Sequence, residues 1–315
     1  MYFKSNGKLM ITGEYLVLNG SRALAMPVRY GQSLGIASES SSNTRVSWHS
    51  YIQGKAWLHA VFHGNDLNAD TALHPDSQRQ SVVFIQQLLR ASRKLNPSFL
   101  SEKQHWKVVS DIDFDIEWGL GSSSSLISNV AWWADINPFD LFFRVGDGSG
   151  YDIACARSQQ PILYKYSGKN HYPVVQPVDF APPFSDQLVF IYSGNKQDSA
   201  KSLKSFDRGA VTAAQTEEIS ELSERMASAT SIDDFTDMMH RHESIVGKCL
   251  GKDPVQHTHF TGFPGAVKSL GAWGGDFLLA ASKLKKEEII QYFKEKGHGP
   301  IIPFEAMRIN KKNKK

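Results

Sequence analysis

The strongest constraint on this chain lies between residues 107 and 133, where an alternating segment gives way to glycine and serine and then to a helical pattern. Val108, Ile112, Phe114, Ile116 and Trp118 alternate with Lys107, Asp111, Asp113, Asp115 and Glu117, the period-2 signature of a strand with one buried and one charged face. Gly119-Leu120-Gly121-Ser122-Ser123-Ser124-Ser125 follows at once, and Leu126, Ile127, Val130 and Trp133 then recur at helical spacing. A strand that turns through glycines into a helix aims unpaired backbone N–H groups and the positive end of the helix dipole at one point, and such a point binds phosphate. The glycines let the backbone approach an anion, and serine hydroxyls can cap the helix or reach a phosphate-bound Mg²⁺. One N-cap needs one serine, and four stand here in a row.

The remaining elements place that motif in an α+β chain. Residues 8 to 18 read as strand, tight turn, strand, with Asn19-Gly20 as a second turn, and residues 33 to 62 continue in short strands. Val82, Val83, Ile85, Leu88, Leu89 and Leu95 mark a helix that stops at Asn96-Pro97. A second glycine loop, Gly146-Asp147-Gly148-Ser149-Gly150, precedes Tyr151-Asp152-Ile153-Ala154, and a strand follows over 161 to 166. Pro173, Pro177, Pro182 and Pro183 then mark a connector, which predicts domains at 1–180 and 181–315. The second domain reads as a strand at 188–193, helices near 196–206, 211–228 and 231–249, and a strand into a third glycine loop, Gly271-Ala272-Trp273-Gly274-Gly275-Asp276. A strand at 277–281 and a helix at 285–296 complete it. The order lacks the regular βαβ rhythm of a doubly wound sheet.

Composition narrows the partners. Across 315 residues, 35 Lys and Arg against 32 Asp and Glu leave a net charge of +3, without the concentrated basic face of a nucleic-acid binder. Two cysteines make no disulfide framework, and no run of about 20 apolar residues marks a membrane span. With no signal-peptide pattern at the amino terminus, the expectation is a cytoplasmic protein, monomer or homodimer, acting on small molecules without nucleic acid or membrane.

Neither GxxxxGK[ST] nor GxGxxG occurs, which disfavours P-loop and Rossmann readings. Gly31-Gln32-Ser33-Leu34-Gly35 satisfies GxSxG, but the strand-like Ile36-Ala37-Ser38 follows where a nucleophile elbow needs a helix. His240 and His242 fall on different faces of a helix, and His257 and His259 would share a strand face with no third ligand fixed by spacing, so core or solvated histidines outweigh a metal site.

Three of these segments together resemble the GHMP small-molecule kinases, the group of galactokinase, homoserine kinase, mevalonate kinase and phosphomevalonate kinase. Gly7-Lys8-Leu9-Met10-Ile11-Thr12-Gly13-Glu14-Tyr15-Leu16-Val17-Leu18 is similar to their amino-terminal motif, Gly119 to Ser124 to their phosphate loop, and Gly271 to Asp276 to their third motif, all in family order. Gly150-Tyr151-Asp152-Ile153-Ala154 resembles a subgroup related to the mevalonate and phosphomevalonate kinases. The resemblance implies a ribosomal-protein-S5-domain-2-like domain followed by a ferredoxin-like domain, with ATP and Mg²⁺ as cofactors. It implies that Gly119, Leu120, Gly121, Ser122, Ser123, Ser124 and Ser125 hold ATP, with Ser123 on the metal. Asp152 and Lys8 would be catalytic, and Glu14, Gly150, Gly274 and Gly275 would meet the substrate. Asp115 stands for the family's proline, Trp118 for a small residue, and Trp273 interrupts the third motif; Asp140 and Asp147 are the candidates for an acidic Mg²⁺ ligand. A nucleotide or metabolite binder without transfer activity, and a diphosphomevalonate decarboxylase, are the alternatives within this fold.

Overall fold

Tertiary contacts divide the chain into two units, neither continuous in sequence: Met1–Gly7, Tyr30–Ile116 and Gly121–Arg157 form the first, and Lys8–Arg29, Glu117–Leu120 and Ser158–Lys315 the second. The structure, a computed structural model, describes residues 1–69, 71, 74–169, 171–194, 206–271, 273 and 275–309. The predicted boundary near 180 falls inside the second unit, because residues 158–180 and the early segment 8–29 make their contacts with the carboxy-terminal part of the chain.

In the first unit, β2 (Arg22–Ser40) pairs through its residues Gln32 to Ser40 with β5 (Gln104–Ile112), antiparallel. β3 (Arg45–Ile52) runs parallel to β5, and β4 (Lys55–His63) returns antiparallel to β3. β1 (Tyr2–Met10) lends this unit its first residues. Side chains alternate across the pleat, so Val46 and Trp48 of β3 and Val108 of β5 turn to a common core. Helices α1 (Asp76–Leu95), α2 (Ser122–Trp133), α3 (Pro138–Val145) and α4 (Tyr151–Arg157) supply the rest of that core. Val82, Ile85, Leu88 and Leu89 of α1, Leu126, Ile127 and Val130 of α2, and Ile153 of α4 are all buried in it, the wide apolar stripe expected of helices on a sheet.

In the second unit, β6 (Ile162–Lys165) pairs with Arg22 to Ala25 of β2 and with β7 (Val174–Pro177). Further on come β8 (Leu188–Tyr192), α5 (Ala213–Ala227), α6 (Ile232–Leu250), α7 (Val255–His259), β9 (Ala266–Leu270), β10 (Phe277–Ala281), α8 (Lys286–Glu295), β11 (Ile301–Pro303) and α9 (Phe304–Met307). The sheet order β11-β8-β10-β9, antiparallel throughout, is the ferredoxin-like arrangement. Val189, Ile191, Val267, Leu278, Ile289 and Phe293 form its core. The architecture is α+β, as the sequence predicts. Among the described residues no helix is long and apolar enough to cross a membrane.

Several local readings are corrected. Residues 8 to 18 do not form two strands: β1 ends at Met10, and Leu16–Asn19 is a 3-10 turn closed by Gly20, whose amide bonds Leu16 O and Val17 O. Tyr15 enters that turn at φ 63°, which no strand allows. The alternating strand stops at Ile112, because Asp113 turns its Oδ1 to accept the Gly31 amide at 2.6 Å, and Ile116–Trp118 is a 3-10 turn. His257 and His259 sit in α7, not on a strand. Ser33 lies mid-strand opposite Asp111, with no elbow. The predicted helix near 196–206 lies outside the described residues except for Phe206, which is not helical.

Candidate functional site

In the first unit the glycine loop opens α2. Gly121 occupies the N-cap at φ 93°, a left-handed conformation that glycine adopts without a side-chain clash, and no side chain caps the helix. Its first amides therefore remain available to an anion. The four serines divide into two pairs. Ser124 and Ser125 are buried: Ser124 Oγ donates to Gly121 O at 2.9 Å, and Ser125 Oγ lies 2.9 Å from Gln32 Oε1. Gln32 is in turn fixed by donating from Nε2 to Ser110 Oγ at 2.7 Å. Ser122 is half-buried and Ser123 exposed at the open end of the helix. Packed against α2 is α4, whose Arg157 donates to Ser128 Oγ at 2.8 Å and lies over the Trp132 ring. At its other end Gly150, at φ 80°, leads into α4, where half-buried Asp152 accepts from the Ile153 amide at 3.1 Å.

In the second unit Lys8 is tied to the loop's first half. Its Nζ donates to Gly119 O and its amide to Leu120 O, both at 2.9 Å. Gly119 lies at φ 63°, and a Cβ there would come 1.9 Å from Asp276 Oδ2, so the third glycine loop rests on this backbone. Gly275, buried, is held between the carbonyls of Leu270 and Phe277, while Ser193 Oγ donates to Gly275 O at 2.6 Å. Gly274 lies outside the described residues. Trp118 packs edge-on against Phe277, ring centroids 6.1 Å apart, and the Trp273 amide donates to Tyr15 Oη at 2.8 Å.

Three solved structures share this chain's fold over nearly its whole length. The Streptococcus pneumoniae phosphomevalonate kinase in complex with phosphomevalonate and AMPPNP matches with a TM-score of 0.69 at 15% identity, over 95% of this chain and 98% of that one. The Methanococcus jannaschii mevalonate kinase matches at 0.66 and 16%, over 96% of both. Lactococcus lactis galactokinase complexed with galactose matches at 0.60 and 12%, over 95% and 91%. The fold is that of the GHMP kinases. No protein-family model matches the sequence, and no curated protein is significantly similar to it.

Set on the GHMP fold, the residues expected at the site fall into distinct surroundings. Lys8, Gly119 and Leu120 come together in one unit, Gly121 to Ser125 and Gly150-Asp152 in the other. Glu14 is sealed off: only 4% exposed, its Oε1 is 2.5 Å from Lys268 Nζ, and Lys268 is itself fully buried. Burial raises the Glu14 carboxyl above its ordinary range, with the Lys268 ammonium and the Gly271 amide opposing. His242 Nε2, 3.2 Å from Glu14 Oε2, accepts the Gly13 amide at 2.9 Å. The imidazole is therefore neutral with its proton on Nδ1, and burial beside Lys268 holds its pKa well below the usual value. The motif Gly13-Glu14-Tyr15 is thus anchored from behind by α6 and β9. Sequence reasoning missed Lys268, His242 as an acceptor, and Asp276 as the neighbour of Gly119. The available signal was a lysine centred in the otherwise small and apolar strand Ala266–Leu270.

The uncapped amides and left-handed glycine suit a phosphate chain. A metal finds less: among the described residues no three His, Cys, Asp or Glu side chains converge on one point. Asp140 lies in the first turn of α3 and Asp147 is exposed in the loop. Ser123 is the exposed serine at the start of α2.

Proposed function

We propose that the protein is an ATP- and Mg²⁺-dependent small-molecule kinase acting on a hydroxyl or phosphate of a small acid of the mevalonate or phosphomevalonate kind. The observation that carries this reading is the start of α2, where a left-handed glycine leaves the first helix amides uncapped beside exposed Ser123, in a fold shared with phosphoryl-transfer enzymes. ATP, when bound, supplies the phosphoryl group. The amides from Gly119 to Ser125 would hold its phosphates, and Ser123 Oγ would be the protein's ligand to a Mg²⁺ that offsets their charge. Ser124 and Ser125 act through the backbone they brace.

Asp152 takes or attracts the acceptor's proton, and the Lys8 ammonium offsets the negative charge that develops on the acceptor oxygen. Gly150 and Gly275 let the backbone approach the substrate. Glu14, being buried, holds the amino-terminal turn in place. Binding energy here goes into position and charge, which is most of what phosphoryl transfer asks of a protein. A cytoplasmic monomer or homodimer fits this reading.

ADP release from ATP and Mg²⁺ with mevalonate, phosphomevalonate and sugar acceptors tests it. Acceptor-dependent release that falls by a factor of about 100 or more in Asp152→Ala and in Lys8→Met is expected; release untouched by both substitutions refutes the assigned roles. Among the described residues no three His, Cys, Asp or Glu side chains converge on one point, which favours one second reading, a binder without turnover. Tight ATP binding with no release on any acceptor would select it.

A further inference from the structure

The second unit contains a cavity that none of the residues assigned above lines. It has a volume of about 750 Å³ and lies between the carboxy-terminal half of α6, the turn 251–254, α7 and Val267 of β9. Lys248 and Lys252 stand exposed in its wall, and neither pairs with a carboxylate among the described residues. Arg241 also lines it, held by Glu218. Asp253 is the exposed acid among them. The rim is therefore positive.

The cavity also has an unsatisfied group in its wall. Glu243 is 3% exposed; its Oε1 accepts the Ser269 amide at 3.2 Å, the Val255 amide also faces the carboxylate, and its Oε2 makes no well-formed hydrogen bond among the described residues. A buried carboxyl oxygen left unpaired is costly, and a ligand atom in hydrogen-bond reach would relieve that cost. Burial pushes this carboxyl up to about 7, so near neutral pH it carries a proton in a large share of molecules. A neutral carboxyl donates an O–H, and the oxygen of a phosphate or carboxylate is the acceptor that suits it. The two free ammonium groups neutralise the remaining charge. The volume is that of a metabolite pocket.

We propose that this cavity is a second ligand site, taking a small organic polyanion whose phosphate or carboxylate groups are held by Lys248 and Lys252 and hydrogen-bonded by Glu243. The inference does not depend on the kinase reading. Its wall reaches the third glycine loop: a Cβ on Gly247 would lie 3.3 Å from the Trp273 ring and 2.6 Å from Lys252 O. The glycine thus lets cavity and loop share one surface.

Calorimetric titration of the full chain with citrate and, separately, with pyrophosphate tests the site without any need for turnover. At least one of the two is expected to give a single-site isotherm, weakened at least roughly tenfold in the double variant Lys248→Ala/Lys252→Ala. Both lysines are exposed, so the variant is expected to keep the wild-type circular dichroism. Gly121→Ala, which strains the left-handed N-cap of α2, should leave this binding unchanged, which separates it from anions held by the α2 amides. Binding of citrate alone assigns a carboxylate ligand, and of pyrophosphate alone a phosphate ligand. Absence of binding by both, or binding that survives the double lysine variant, overturns the proposal.

Discussion

Replacing Glu243 with glutamine removes one proton-binding group from the interior of the second unit while keeping its shape. In the wild-type chain burial pushes this carboxyl up to about 7 from an ordinary 4.5, with Lys268 drawing it down and Glu14 driving it further up. Between those values the folded protein keeps a proton that the unfolded chain has released. The stability linked to that proton is complete below 4.5 and is lost as pH rises through 7. At about 1.36 kcal/mol for each pH unit of the window, the loss comes to about 3 kcal/mol. Glutamine has no such proton. Urea unfolding of both proteins across this range should show the variant gaining on the wild type by about 3 kcal/mol between the acidic and the neutral limit. Glu14 titrates in both proteins and largely cancels in the difference. A stability difference that stays flat within about 0.5 kcal/mol would refute the reasoning, since it would mean Glu243 ionises in the fold as it does in water.

Lys268→Met strands the Glu14 carboxylate in the interior and should cost about 3–5 kcal/mol in chemical denaturation, much of it recovered by adding Glu14→Gln; simple additivity would contradict the pairing. Gly119→Ala must hold φ 63° and displace Asp276, and a loss of at least about 1–2 kcal/mol together with weakened nucleotide binding is expected in thermal shift and titration. Ser125→Ala should destabilise by about 1 kcal/mol through its bond to Gln32, whereas exposed Ser123→Ala should stay within about 0.5 kcal/mol. Equal losses at the two serines would remove the division between them.

The parts of this protein that are legible in its sequence are those whose partners are near in the chain or generic. Helix α1 is visible because any apolar surface satisfies Val82, Ile85 and Leu88, and β10 because Phe277 to Ala281 is apolar on both faces. The glycine loop is visible because its chemistry resides in its own backbone. What escapes is set by distant partners. Asp113 looks like one more charged position of an alternating strand, until the Gly31 amide claims its carboxylate. Serines 122 to 125 look equivalent, and only Gln32 and the first turn of α2 distinguish them. Glu14 looks like a turn carboxylate open to substrate, and a buried lysine on β9 makes it an interior ion pair. Short edge strands such as β7 and β11, both ending in proline, carry too few residues to establish a period.

The interleaving of the two units along the chain has a consequence for how the protein is made. Every residue of the first unit has been synthesised once Arg157 is added. The segment Lys8–Arg29, made before the rest of its unit, must wait, because apart from Glu117–Leu120 that unit continues only from Ser158. Its anchors lie later still: Gly13 meets His242 across 229 positions, Glu14 meets Lys268 across 254, and Tyr15 meets Trp273 across 258. Domains of growing chains fold in order of emergence, and closing long loops is slow. The turn Gly13 to Tyr15 is therefore among the last parts of the second unit to be secured, once Trp273 has been added.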